Sequence, residues 1–268
     1  MAVHLKYFQG CPNVGDQFAV SLAKHYFSPD IIPVPCDYGQ PSAPNLLLVG
    51  SILGNADKLS YVCGAGFIGA RDRLRVAPRY IKGVRGPLTA AILERQSLRS
   101  AYTFGDPGIL ASKIFPRTES AQNEVGIIPH YVDMNSPWVK SCRDQGLTVI
   151  DVLSPLDEFF ANLQRCAIIL SSSLHGLVFA HSYDIPAVWI ELSDQVIGSG
   201  FKFFDYYLSM GISPEDVTRF PILDNPDPRK IAKLASVTEN KKLLENLETA
   251  LNETKVELEK AIDERKLK

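Results

Sequence analysis

The run Ser171-Ser172-Ser173-Leu174-His175-Gly176 joins hydroxyls, an imidazole and a glycine at the end of an apolar stretch. Serine hydroxyls together with the free N–H groups of a helix start suit a phosphate or a carboxylate. His175 titrates near neutrality and can carry a proton. The plainer reading packs the histidine under the helix start and leaves the serines as caps. Lys202 stands among aromatics in the run Gly198-Ser199-Gly200-Phe201-Lys202-Phe203-Phe204-Asp205-Tyr206-Tyr207. It reads either as a cation reaching into a cleft or as a surface lysine whose stem covers aromatic surface. Arg85, in Gly83-Val84-Arg85-Gly86-Pro87, sits just before a helix that Pro87 would start. A guanidinium and a helix N-terminus there could converge on one anion, although most arginines lie exposed.

Asp106 lies in Gly105-Asp106-Pro107-Gly108. It would cap the turn that follows, or accept a proton or hold a substrate hydroxyl. The stretch from Gly64 to Gly69 matches GxGxxG after a strand. A dinucleotide site also needs a helix opening on the third glycine and an acidic residue about 20 positions on. The sequence instead continues with Arg71, Arg73, Arg75, Arg79, Lys82 and Arg85, and Pro78 interrupts the expected helix. What remains for Gly64 and Gly66 is a turn whose backbone approaches an anion beneath a basic loop. Asn13 and Asp16, in Pro12-Asn13-Val14-Gly15-Asp16, and His130, in Pro129-His130-Tyr131-Val132-Asp133, each follow a strand-like run. Each either lines the same cleft or is only a turn with a cap.

These residues need strands and helices to gather them. Short apolar runs rich in β-branched or large aliphatic residues occur at 45–50, 60–63, 125–130, 148–152, 167–171 and 187–191. Such runs suit strands covered on both faces. Helical patterns fill 17–27, 88–96, 156–165 and 174–183. The alternation predicts an α/β fold with parallel sheets. A polar, turn-rich stretch at 115–123 divides a first lobe (1–120) from a second (121–223), with a C-terminal helical segment at 224–268. In that segment Leu244, Leu247, Leu251, Leu258 and Ile262 form a narrow apolar stripe interrupted by Thr254. A helix lying across the body of the protein suits it better than a coiled-coil seam.

Composition narrows the classes. Hydrophobic content is 46%, charged content 22% and formal net charge -2. That is globular usage without the global basic field a nucleic-acid backbone demands. No run is apolar and long enough to span a bilayer, and no signal peptide is visible, so a cytosolic protein is expected. The cysteines are Cys11, Cys36, Cys63, Cys142 and Cys166, odd in number and without a CxxC pair. A disulfide framework, a zinc site or any other metal centre is therefore not expected.

Taken in order, Asn13-Val14-Gly15-Asp16, Gly64-Ala65-Gly66, Val84-Arg85-Gly86-Pro87, Gly105-Asp106-Pro107-Gly108, Ile128-Pro129-His130, Ser171 to Gly176, Ile185-Pro186-Ala187-Val188 and Phe201-Lys202-Phe203 resemble the polysaccharide pyruvyl transferase family. The likeness is nearest the ketal pyruvyl transferases of bacterial exopolysaccharides and covers roughly residues 10 to 208. The resemblance implies two Rossmann-like lobes in a GT-B-like arrangement, with the site between them. It implies phosphoenolpyruvate as donor substrate, no cofactor, and a hexose acceptor in a polysaccharide or a lipid-linked oligosaccharide. Peripheral contact with the inner face of the plasma membrane would follow from such an acceptor. It assigns Arg85 and Lys202 to the donor anion and His175 to acid/base work, and Asp106 stands beside His175 as a second catalytic candidate. Ser172, Ser173, Leu174, Gly64, Gly66, Asn13, Asp16 and His130 would line the substrate. One departure stands out: several family members carry an arginine directly before the Leu-His pair, where this chain has Ser173. A GT-B glycosyltransferase using a nucleotide sugar and a non-catalytic sugar-binding protein are the rival readings.

Overall fold

The computed structural model describes residues 2–11, 13–36, 42–237 and 240–266. Of the motif residues above, Pro12 lies outside them. The chain builds two wholly parallel sheets, of six and five strands, with nine α-helices among the described residues. This is the mixed α/β architecture that the strand–helix alternation predicts.

The first sheet contains β1 (Val3–Lys6), β2 (Ile31–Val34), β3 (Asn45–Leu47), β4 (Ser60–Cys63), β5 (Tyr80–Val84) and β6 (Thr103–Phe104), in the order β2-β1-β3-β4-β5-β6. Pro33 lacks an N–H to donate and lies in β2 at the edge, where that lack is tolerated. Helix α1 (Val14–Tyr26) starts on Asn13, whose side chain accepts from the amides of Gly15 and Asp16. Helix α2 (Pro87–Arg95) opens on its proline. A 3-10 turn over Pro107–Leu110 and the short α3 (Ala111–Ile114) lead out of the sheet.

The second sheet contains β7 (Asn123–Ile128), β8 (Thr148–Val149), β9 (Cys166–Ser171), β10 (Ala187–Glu191) and β11 (Arg219–Pro221), in the order β11-β10-β9-β7-β8. Its helices are α4 (Pro137–Asp144), α5 (Leu156–Gln164), α6 (Leu174–Ser182), α7 (Phe201–Ser209) and α8 (Pro228–Ala232). The sequence patterns miss β2, β5, β11, α4 and α7. These strands are three to five residues long and carry Pro33, Lys82 and Arg219, which break an apolar run.

One hydrophobic cluster runs through both sheets: Leu5, Leu22 and Leu46 from the first share it with Ile128, Phe160 and Ile169 from the second. At its centre, Phe18 of α1, Phe160 of α5 and Phe179 of α6 meet at ring separations of 5.0–6.3 Å. Edge-on contacts of this kind add about 0.5–1.5 kcal/mol each beyond burial. Two smaller clusters cover the outer faces, one around Leu93 and Phe67, the other around Trp138 and Ile231.

The last helix, α9 (Lys241–Lys266), returns to the first sheet and packs on β4, β5 and β6. Leu247, Leu251 and Leu258 are buried there. Thr254 corrects its expected role as an interruption. It is fully buried, and its hydroxyl donates to the Ala250 carbonyl at 2.7 Å. That internal bond lets a hydroxyl join an apolar face.

Candidate functional site

In parallel sheets, ligands bind outside the carboxyl ends of strands, at the point where strand order reverses. In the first sheet that point falls between β1 and β3, and Asn13, Asp16, Gly50 and Ser51 follow those strands. In the second it falls between β7 and β9, and His130 and the stretch 171–175 follow those. The two reversal points face each other. A Cβ added to Gly15 would stand 1.9 Å from His175 Nδ1, so α1 meets the start of α6 with no atom to spare.

His175 lies on the first turn of α6 with its ring stacked on Phe179, 5.6 Å between centroids. Its Nε2 is 3.7 Å from Asp106 Oδ2, and both atoms are buried without a hydrogen-bond partner. The other oxygen of Asp106 caps its turn by accepting from the Gly108 amide at 2.9 Å. The cap expected of Asp106 is therefore present, and its second oxygen faces His175. Burial lowers the His175 pKa, Lys202 and Arg85 push it lower, and Asp106 opposes them. The imidazole is thus held neutral.

Asp16 is buried in the first turn of α1 and accepts from the Asn13 side-chain amide. Desolvation raises its pKa to about 7, with the Asn13 bond and Lys202 acting the other way. Lys202, in the first turn of α7, makes no ion pair within 4.0 Å among the described residues, and its Nζ lies 5.6 Å from the Phe203 ring centre. Burial and the Arg85 charge lower its pKa to about 8, and Asp16 partly restores it. His130 falls to about 4 through burial and the same lysine. Asp16, His130, His175 and Lys202, from four separate stretches, thus share one electrostatic environment. The chain reaches α7 through Gly198, Ser199 and Gly200 at φ +102°, +47° and +79°, and Ser199 is the one residue there with a side chain to strain.

The hydroxyls divide. Ser173 precedes α6, and its side chain makes no hydrogen bond among the described residues. Ser172 accepts from the His130 amide at 2.8 Å and donates to Asp133 at 3.0 Å, so it holds the framework. Asp133 also accepts from Ser193 at 2.5 Å. Leu174 is buried and places only its backbone at the helix start.

Arg85 and the glycines take positions other than those expected. Arg85 is fully buried. Its Nε bonds Asp205 at 3.0 Å, Nη1 bonds Ser51 at 2.8 Å, and Nη2 donates to the Phe67 carbonyl. Its donors face protein groups, and its charge reaches the cleft only as a field. The Gly64 and Gly66 amides donate to the carbonyls of Gly83 and Gly50, each at 3.0 Å, so neither points at an anion. A Cβ on Gly64 would strike Pro107 at 2.2 Å and one on Gly66 would strike the Arg85 guanidinium at 2.5 Å. Close packing explains both glycines. No helix follows them until α2, so the literal GxGxxG match lacks the geometry of a dinucleotide turn.

Asp205 is the residue whose importance the sequence concealed. It lies in α7, fully buried, and binds Arg85, the Thr89 amide at 3.0 Å and the Thr89 hydroxyl at 2.6 Å. It caps α2 from the far side of the cleft and ties the two halves together. A lone Asp inside an aromatic helical run carries no signal of such a partner. Among the described residues, no group of three or more His, Cys, Asp or Glu side chains is arranged to hold a metal ion, and no helix is long and apolar enough to cross a membrane.

An uncharacterized protein of Acanthamoeba polyphaga mimivirus is 29% identical over 236 residues, covering 81% of this chain and 78% of its own. The polysaccharide pyruvyl transferase family model matches residues 13–194, from the cap of α1 through α6 and β10, and stops short of Lys202. With that match spanning more than half of its 268 residues, the chain belongs to the polysaccharide pyruvyl transferase family.

Proposed function

We propose that the protein transfers a pyruvyl group from phosphoenolpyruvate to two hydroxyls of one sugar, forming a ketal and releasing phosphate. We further propose that its two halves work as Rossmann-like lobes in a GT-B-like arrangement. The observation that carries this reading is that Asp16 and His175, shifted in opposite directions, both feel the charge of an unpaired Lys202 where the two sheets reverse.

Groups pushed apart in this way suit opposite halves of a proton transfer. Asp16 holds a proton near neutrality and is our candidate to protonate the methylene carbon of the donor. C2 then becomes oxocarbenium-like and a sugar hydroxyl attacks it. His175 is neutral and takes the proton of that hydroxyl, steadied by Asp106. The second hydroxyl displaces phosphate, which leaves with the second hydroxyl's proton. One proton enters at carbon and two leave oxygen, so the sum is ketal plus hydrogen phosphate. Each positioned acid or base contributes about 10²–10⁴-fold. Lys202, the Ser173 hydroxyl and the α6 N-terminus offer the donor's anionic groups a cation and N–H donors. Ser173 stands in for the arginine that several family members carry there, a hydroxyl in place of a charge. Asn13, His130 and the Leu174 backbone complete the lining. Arg85 acts through its field and through the Asp205 bridge. No step in this scheme calls on a cofactor. The acceptor would be a polysaccharide or lipid-linked oligosaccharide met at the cytoplasmic face of a membrane.

The test is phosphate release from phosphoenolpyruvate across a panel of sugar acceptors. We expect acceptor-dependent release, lost in His175→Ala while donor binding persists. Near wild-type turnover in that variant would remove the base role. A thermal shift with UDP or GDP and none with phosphoenolpyruvate would instead favour a nucleotide-sugar glycosyltransferase.

A further inference from the structure

A cavity of about 440 Å³ lies beside the cleft, at the carboxyl ends of β9, β10 and β11. It falls within the about 300–1,000 Å³ usual for small-molecule sites. Ser172 belongs both to its wall and to the framework under His130, so cavity and cleft adjoin. Trp189 and Phe203, stacked 4.4 Å apart, form its floor. Its polar lining consists of Arg219, Glu191, Asp194 and three serines. Arg219 is paired to Glu191 at 2.6 Å and lies over the Trp189 ring at 5.2 Å. Asp194 and Ser199 line the lip, exposed, and neither side chain makes a hydrogen bond or ion pair among the described residues. No lysine lines the cavity among the described residues.

We infer that this cavity is the acceptor subsite and takes a neutral hexose unit. The inference rests on the pyruvyl-transfer reading and deepens it. A free carboxylate, Asp194, accepts from sugar hydroxyls, and an ion-paired arginine both donates and covers an aromatic ring. The same lining disfavours a nucleotide. A diphosphate would meet Asp194 directly, and the one cation present is already neutralised by Glu191. The cavity also contains Ser199 and Gly200, which lead directly into the turn of α7 that bears Lys202. A sugar seated there borders the donor's cation through one short piece of backbone.

The experiment pairs acceptor kinetics with binding. Methyl β-D-glucopyranoside and methyl β-D-galactopyranoside serve as sugar probes in saturation-transfer NMR, with UDP as counter-probe. Asp194→Ala and Ser199→Ala change exposed side chains, so the fold is kept, and circular dichroism checks it. A carboxylate–hydroxyl bond corresponds to about tenfold or more in affinity. We expect saturation transfer to a glycoside and none to UDP. In Asp194→Ala the glycoside signal should weaken and acceptor KM rise at least about tenfold, with the phosphoenolpyruvate Kd unchanged. Unchanged acceptor binding and KM in both variants overturn the subsite, as does UDP binding that Arg219→Ala abolishes. If the wild type binds a glycoside at Asp194 yet neither binds phosphoenolpyruvate nor releases phosphate, the sugar site stands and the pyruvyl-transfer reading falls.

Discussion

Asp16 and Lys202 are both held away from their ordinary titration ranges by the same cause, removal of a charge from water. The folded-state pKa of Asp16, about 7, lies above its unfolded value near 3.8. Its contribution to stability is therefore full below pH 4 and is lost as pH rises to about 7. Asp16→Asn should then stabilise the protein at pH 8 by on the order of 2–4 kcal/mol, nearly nothing at pH 4, and still abolish turnover. Urea unfolding at the two pH values measures the first part and phosphate release the second. Lys202 runs the other way, its folded pKa of about 8 lying below its free value of 10.5. Its charge disappears as pH rises through 8, so phosphoenolpyruvate should bind more weakly there. Lys202→Met should weaken binding about 10–100-fold at pH 7 and flatten the dependence above it, which calorimetric titration across pH 7–9.5 would reveal.

Helix starts do the positioning, and each is fixed by a contact from another part of the chain. Gly15 lets α1 press on His175, so Gly15→Ala should displace the imidazole and lower kcat by at least about 100-fold with secondary structure retained. Asp205 closes α2 against α7 and holds Arg85 without exposure. Removing one member of a buried pair strands the other charge, so Asp205→Ala should cost about 3–5 kcal/mol in chemical denaturation. Gly86 belongs to the same contact, since a Cβ there would fall 1.8 Å from the Asp205 carbonyl oxygen. The motif Val84-Arg85-Gly86-Pro87 is legible in sequence as a helix start beside a cation. Its partner 120 residues away is not, because nothing local to Asp205 records it.

At the scale of the whole molecule, the two sheets share one core, and α9 crosses from the second sheet to cover the first. Leu251→Ala, fully buried in that contact, should destabilise by about 2–5 kcal/mol in a denaturant melt. The loss should appear as one transition, because the largest apolar cluster is shared by both halves. The stripe of leucines in α9 announces a buried face, and its period places Thr254 on it. Which surface the face meets depends on a crossing back to β4 and β5 that no periodicity encodes.

Apolar runs separated by glycine- and proline-marked helix starts were enough to specify parallel α/β construction, because backbone hydrogen bonding and burial act over a few residues. They were also enough to nominate His175, Asp106 and Asp16, because residues that follow strands are where ligands meet such sheets, while Lys202 stood out as a lone cation among aromatics after a glycine hinge. Strand order, the pairing of Arg85 with Asp205 and the direction of each pKa shift were decided by tertiary structure alone. Those depend on which distant groups exclude water from one another, and desolvation is a property of the assembled neighbourhood.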